Sequence, residues 1–316
     1  MTTVASAAPA LAPATGPGPA IRRGRGRRAE GRAAWILALP FTLLFAAFTV
    51  WPVVQSLFMS FTDTRQKDLR TPFQVDFIGL ENYQRALSDP VFQKAAANTA
   101  YFVLVGMPLT IAVALLAAVA LDKGITRLRA AFRLGFYTPV ITSIVAVAVV
   151  WRFILQPDSG LLNTALGWFG IQGPNWLGDP QWAMPSLIMM AVWRNFGTGM
   201  IIFLAGLQGV PQELQEAAAI DGANAWRRFW NITFPLLRPT LLFVCVTTAI
   251  GYLQFFEEPF VMTSGGPLNS TISLSMYTYN QFGFGNYGLA AAMSYLIFVV
   301  IAVVTAVQFR LLRQNT

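Results

Sequence analysis

The chain has 316 residues, of which 55% are hydrophobic and 11% charged, with a formal net charge of +8. That charge fraction is about half of what soluble domains carry, so a single large membrane domain is the economical reading. There is no histidine and one cysteine, Cys245, which excludes a disulfide framework, His/Cys metal sites and Ser-His or Cys-His nucleophile pairs within the chain.

Residues 1 to 20 are rich in Ala, Pro, Thr and Gly, a composition with too little apolar surface to order itself. Arg22, Arg23, Arg25, Arg27, Arg28 and Arg32 come next, directly before an apolar run. Such a cluster reads either as a nucleic-acid contact or as a cytoplasmic anchor for a first span, and its position favours the anchor. The apolar run is too long for a signal peptide, and no small-residue cleavage site ends it. Residues 1–32 are therefore expected to form a disordered basic cytoplasmic tail with no nucleic-acid partner, and residues 33–316 a membrane domain.

Six apolar stretches occupy about 33–60, 95–121, 131–154, 182–208, 238–262 and 287–310, each near the ~20 residues that a helical span needs. The predicted fold class is all-α, a polytopic membrane helix bundle with six transmembrane helices. Lys and Arg number six in the N-terminal tail, four in 122–133, three in 209–238 and two after 309. They number five in 61–94 and none in 156–181 or 263–286. Fifteen against five places both termini and the 209–238 loop in the cytoplasm.

Between the first two spans lies an amphipathic segment, FIGLENYQRALSDP. Residues 156–181 hold Pro157, Gly160, Gly173, Pro174 and Pro180 with several tryptophans, consistent with a structured external cap. The 209–238 loop, about 30 residues long, contains ELQEAAAIDGANAWRRFWNITFPLLRP, a polar stretch between two apolar ones. It reads as two short helices joined at Gly222, where glycine permits a sharp change of direction. Pro211 suits a first helical position, and Glu213 and Glu216 lie near the positive end of the helix dipole. Glu213, Glu216, Ala217 and Ile220 recur at spacings of three and four and share a face. Thr263-Ser264-Gly265-Gly266-Pro267 is a sharp turn.

Polar groups inside the apolar stretches are the remaining signal, because a charge in a bilayer is costly and usually faces a cavity or pathway. Trp193, Arg194 and Asn195 lie in the fourth stretch, and Tyr252, Gln254, Phe255, Glu257 and Glu258 in the fifth. Aromatic rings beside amides and carboxylates suit a sugar, whose apolar faces stack while its hydroxyls take hydrogen bonds. The structural alternatives are that Arg194 snorkels outward or pairs with a glutamate, and that Glu257 and Glu258 cap a span end beside Pro259. Adjacent helical positions diverge by about 100°, so the two glutamates make a poor acid/base pair, and no catalytic residue is assigned.

The sequence resembles a known family at several separate places. Glu216-Ala217-Ala218, Asp221, Gly222, Ile232 and Pro235 match in spacing the signature loop of permease subunits of binding-protein-dependent ABC importers, and Ile220-Asp221-Gly222-Ala223 resembles the sugar-importing, maltose and glycerol-phosphate branch. Phe234 stands where the family usually has Leu. The first external segment, the Thr-x-Gly-Gly-Pro turn and Gly288–Ser294 at the last span extend the likeness over most of residues 35 to 310. An ordinary amphipathic interfacial helix is the alternative for the loop alone.

The resemblance implies a permease that moves a sugar or oligosaccharide, or else a glycerol phosphodiester or polyol, across a bacterial or archaeal cytoplasmic membrane. It implies a second permease subunit as heterodimer partner, two ATP-binding cassette subunits, an extracytoplasmic solute-binding protein and the lipid bilayer. It makes Glu216, Ala217, Ala218, Asp221, Gly222, Ile232 and Pro235 the contact with the ATPases. In the maltose-type branch, amides just upstream of the Gly-Gly-Pro turn hold sugar, which places Tyr252, Gln254 and Phe255 there. The three lysines, Lys67, Lys94 and Lys123, each lack a preceding glycine, so no Walker A loop exists in the chain. No cofactor is expected on this chain, with ATP and Mg used by the partner ATPase. A secondary transporter is disfavoured, since no internal repeat and no proton-relay series of acids or histidines is present.

Overall fold

In the computed structural model the described residues are 26–70, 75–123 and 128–312. The expectation for residues 1–25 lies outside them, and the backbone is helical from Gly26, ahead of the expected start at 33. No β-strand longer than the single Thr62–Phe77 bridge occurs among the described residues. The chain divides into two compact units between Gln55 and Ser56. The first comprises α1 (Gly26–Phe45), a π-helical turn at Ala46–Val50, and the opening of α2 (Trp51–Met59). The candidate span Ala34–Met59 has a mean hydropathy of 2.0 and buries none of its most apolar stretch. Its surface is built for lipid or another chain.

The second unit holds α3 (Glu81–Ser88), α4 (Pro90–Tyr101), α5 (Met107–Lys123), α6 (Arg129–Ile141), α7 (Ile144–Ile154), α8 (Leu161–Gly167) and α9 (Pro180–Gln208). After these come α10 (Gln212–Ile220), α11 (Ala225–Arg228), α12 (Phe234–Leu236), α13 (Arg238–Leu253), α14 (Glu257–Met262), α15 (Leu274–Gly283) and α16 (Tyr287–Leu312). Among the described residues four runs are unbroken and long enough to cross a membrane, and the number reaches the expected six if each bent pair is one span. The α6–α7 pair bends by 99° at Thr142-Ser143, whose backbones are extended. The α12–α13 pair bends by 67° around Leu237, where Pro239 cannot donate to the preceding turn.

Spans two and four begin earlier than the apolar pattern alone implies, and the reason is the same. Asp89-Pro90 and Asp179-Pro180 each put a carboxylate at the N-cap and proline at the first helical position. Asp89 Oδ1 accepts from the Val91 amide at 2.7 Å, and Asp179 Oδ1 from the Gln181 amide at 2.8 Å.

Proline also explains a feature that hydrophobic periodicity does not suggest. Three π-helical turns, Ala46–Val50, Phe102–Gly106 and Phe229–Thr233, each end one residue before an X-Pro pair. The pairs are Trp51-Pro52, Met107-Pro108 and Phe234-Pro235. A proline ring collides with the carbonyl four residues back and offers that carbonyl no donor. Widening the preceding turn relieves the collision without ending the helix.

Helices α5 and α6 both pack on α9. Gly197 is the contact point of α9 with α6, because a Cβ there would lie 2.2 Å from the Phe136 carbonyl oxygen. A large apolar cluster around Phe203, Met200 and Leu121 fills the α5–α9 seam. On the loop side, α4 holds the 263–273 turn in place. Asn98 Nδ2 donates to the carbonyls of Asn269 (2.8 Å) and Ile272 (2.9 Å), and Thr99 Oγ1 accepts from the Leu274 amide at 3.1 Å. Tyr277 donates its hydroxyl to Asp89, and burial, reinforced by that carboxylate, pushes the phenol up to about 12.

The packing gives a paired test. Gly197→Ala should destabilise the purified chain by about 1–3 kcal/mol or more through overpacking. Gly135→Ala, where nothing lies within 4 Å of the new methyl, should be neutral or stabilising by roughly 0.5–1 kcal/mol. Thermal unfolding in detergent reads both, and equal effects would contradict the close crossing of α6 and α9.

Candidate functional site

A polar cavity of about 250 Å³ opens between α5, α9, α13 and α14. Its walls follow helical arithmetic. From α9 come Arg194, Asn195, Thr198, Gly199 and Ile202; from α13 come Val244, Thr247, Thr248, Gly251 and Tyr252. Both sets keep to spacings of one, three and four, which is one helix face. Thr110 of α5, together with Phe255, Glu257 and Glu258, completes the lining.

The wall is fixed by short contacts. Tyr252 and Thr110 share a hydroxyl–hydroxyl bond of 2.7 Å, and Thr110 also donates to the Gly106 carbonyl at 2.9 Å. Phe102 stacks on Phe255 with ring centres 4.0 Å apart and planes within 2°, and lies 4.9 Å from Tyr252. The π-helical turn that contains Phe102 therefore sits directly behind the cavity. Gly106 belongs to the same turn, and a methyl there would come within 3.0 Å of the Tyr252 ring.

Glu257 and Glu258 are not inside a continuous fifth span, as the apolar run implies. Helix α13 ends at Leu253, Gln254–Phe256 are non-helical, and α14 opens at Glu257. The run is broken because the carboxylates gain the positive end of a new helix there. Neither alternative for the charges holds in full. Arg194 turns into the cavity, and among the described residues no ion pair joins it to either glutamate. Glu258 is only 5% exposed, and its Oε2 has no hydrogen-bond partner, as is also true of Arg194 Nε.

Of the eight residues singled out in the spans, Arg194, Asn195, Tyr252, Phe255, Glu257 and Glu258 converge on this cavity. Trp193 and Gln254 do not. Trp193 points the other way, 5.7 Å from Trp151, into a groove lined by Tyr101, Val105, Leu109 and Met189. Gln254 is exposed in the break after α13. Thr110, Thr198, Thr247 and Thr248 join the site without having been expected there, although the spacing of hydroxyls within apolar runs is a signal the sequence carries.

The 209–238 loop forms the expected helix pair. Pro211 is the N-cap rather than the first helical residue, since its ψ of 127° is extended. At the far end Gly222 adopts φ +78°, donates to the Ala219 carbonyl at 3.1 Å, and is followed by Ala223 donating to Ala218 at 2.9 Å. These two bonds are a Schellman turn, which needs a left-handed residue at that position. Asn224 then caps α11 by accepting from the Arg227 amide at 2.9 Å. Glu213, Glu216, Ala217 and Ile220 are all exposed, Ile220 at 87%, and Trp226 beside them at 69%. Glu216 accepts from Gln212 Nε2 at 2.8 Å, and Asp221 is the exposed C-cap. Ile232 is half-buried in the π-helical turn and Pro235 half-buried in α12. Gln215, which no sequence pattern marks, ties α10 to that π-helical turn by donating to Thr233 at 2.9 Å.

The turn is testable locally. Gly222→Val should cost roughly 1–2 kcal/mol of turn stability because a branched residue resists positive φ. Hydrogen exchange at the Ala223 amide should speed up in that variant and recover in Gly222→Asn. Unchanged exchange in the valine variant would contradict the left-handed turn.

Comparison with known proteins places the chain among relatives. Residues 110–315 match the family model described as binding-protein-dependent transport system inner membrane component. The lactose transport system permease protein LacF of Rhizobium radiobacter is 37% identical over 89% of this chain and 94% of its own length. The arabinooligosaccharides transport system permease protein AraP of Halalkalibacterium halodurans is 34% identical over 88% of this chain and 86% of its own. Among solved structures, a bacterial ABC transporter involved in the import of the acidic polysaccharide alginate superposes with a TM-score of 0.77 at 25% identity, covering 92% of this chain and 98% of that one.

Proposed function

The chain belongs to the family of binding-protein-dependent transport system inner membrane components, a multi-pass membrane protein, and on that premise we propose that it is the permease subunit through which an ABC importer moves a sugar or oligosaccharide. The observation that carries this reading is the open cavity between apolar helices, since hydroxyls, an amide and aromatic rings on the walls of predicted spans suit a solute. The relatives named for lactose and arabinooligosaccharides support the choice of sugar.

The solute arrives on an extracytoplasmic binding protein, and a second permease completes the pathway. Both termini and the α10–α11 pair face the cytoplasm, as the distribution of Arg and Lys directs. Two ATP-binding cassette subunits grip the exposed face of Glu213, Glu216, Ala217 and Ile220. ATP and Mg stay on those subunits, and this chain holds no cofactor. The helix pair transmits closure because it is bracketed by α9 and α13, the two helices that line most of the cavity. A lever at one end of both helices can reshape the walls between them.

Variants at the two ends of this lever test the reading. Glu216→Lys should leave the protein inserted and folded while abolishing ligand-stimulated ATPase activity of the assembled complex; full coupling in that variant would remove the helix pair from the contact. Thr248→Phe, which fills the cavity, should lower the uptake rate by roughly tenfold or more, whereas Gln254→Ala should leave it unchanged. Normal uptake by the Thr248 variant would move the pathway elsewhere.

A further inference from the structure

One glycine on the cavity wall is explained neither by packing nor by backbone conformation. Gly251 lies within α13, two residues before its end at Leu253. Inside a helix glycine is the least favoured residue after proline, so its presence calls for a compensating role. Close packing supplies that role elsewhere. A methyl on Gly197 would lie 2.2 Å from the Phe136 carbonyl oxygen, and one on Gly199, which shares the cavity wall, 2.9 Å from the Ala114 methyl. A methyl on Gly251 would meet nothing within 4 Å. Nor is its backbone left-handed, as that of Gly222 is. Gly135 of α6 is equally open but forms no part of the cavity lining, whereas Gly251 does.

The gap beside Gly251 has polar neighbours. Thr247 and Thr248 precede it by four and three residues and share its helix face on the cavity wall. A threonine in a span commonly bonds back to its own helix, as Thr110 does to the Gly106 carbonyl at 2.9 Å. Among the described residues the hydroxyls of Thr198 and Thr248 make no such bond, and both line the cavity. The core of a seat for another helix is poor in charge, whereas this wall also carries Arg194 and Glu257.

Resting on the reading of this cavity as the sugar pathway, we infer that Gly251 sets the width of that pathway, leaving the bare backbone of α13 as the surface against which a sugar ring lies. Glycine is the residue that lets a ligand approach backbone closely, and any side chain at 251 projects into the space the ring takes. The free hydroxyls of Thr198 and Thr248 exchange hydrogen bonds with those of the ring. Gly251 thereby determines specificity by size: it admits ring-shaped solutes that a narrower wall turns away.

The test uses the full chain purified in detergent, with D-galactose and lactose as probes. Gly251→Ala and Gly251→Leu are compared with Gly135→Ala. Thermal unfolding should find both Gly251 variants at least as stable as the parent, because the helix gains a better former without a clash. Saturation-transfer NMR titrations should find both sugars bound about threefold more weakly by the alanine variant and about tenfold or more by the leucine variant. Gly135→Ala should bind them as the parent does. A leucine variant that binds both sugars normally, while Thr248→Phe does not bind them, overturns the inference and leaves the cavity a sugar site. A leucine variant that loses stability in step with binding also overturns it, since the glycine would then serve packing. If neither sugar binds the unmodified chain, or Thr248→Phe binds them as well as the parent, the sugar-pathway reading itself fails and the inference falls with it.

Discussion

A bilayer supplies no hydrogen bonds, so any backbone or polar side chain at its depth must be satisfied by protein or by a solvated cavity. The apolar spans meet most of that demand with the hydrogen bonds of their own helices. Where the fifth span breaks, at Gln254–Phe256, Phe255 lies against the polar cavity while Gln254 is exposed. The break and the cavity explain each other. A continuous helix through Glu257 would have carried two carboxylates along one apolar rod; a new helix gives them a positive terminus and a polar neighbourhood.

The cavity and the helix pair are joined by continuous helices. Helix α9 leaves the cavity wall and runs to Gln208, and α10 begins four residues later; α13 returns from the pair into the opposite wall. Near the pair the two helices approach closely, since a methyl on Gly206 would lie 2.7 Å from the Thr240 hydroxyl. Along the cavity they separate enough for threonines on both to face a common space. Tight contact at one end gives way to a shared polar space at the other. The Gln215–Thr233 bond keeps the pair from swinging free of the next turn.

Much of this is legible from residues alone, because the informative features are local. Gly222 between two short amphipathic segments specifies a left-handed turn, which needs no tertiary information. The two Asp-Pro pairs also mark helix starts, although the apolar pattern taken by itself places those starts late. The features that could not be read are tertiary in origin. Trp193 and Arg194 are adjacent, and only packing decides that one faces Trp151 and the other the cavity. Gln254 has the right distance from the Gly-Gly-Pro turn for a sugar ligand, but the helix ends before it and the side chain turns outward. The threonines are visible as letters in apolar runs, yet a threonine in a span can equally bond back to its own helix, as Thr247 does to the Phe243 carbonyl at 2.8 Å.

The proline-linked π-helical turns have a consequence for how such sequences are compared. Each turn holds one residue more than an α-helical turn would, so the residues after it are rotated by about 100° around the axis. In the second span, Phe102 lies in the bulge, stacked behind Phe255, and Thr110 follows it on the cavity wall. A homologue lacking Pro108 and keeping every other letter would be out of phase from there onward, with its hydroxyl turned toward a different neighbour. Loss of such a proline would therefore be matched by a single-residue deletion nearby, a compensation invisible to any count of identities.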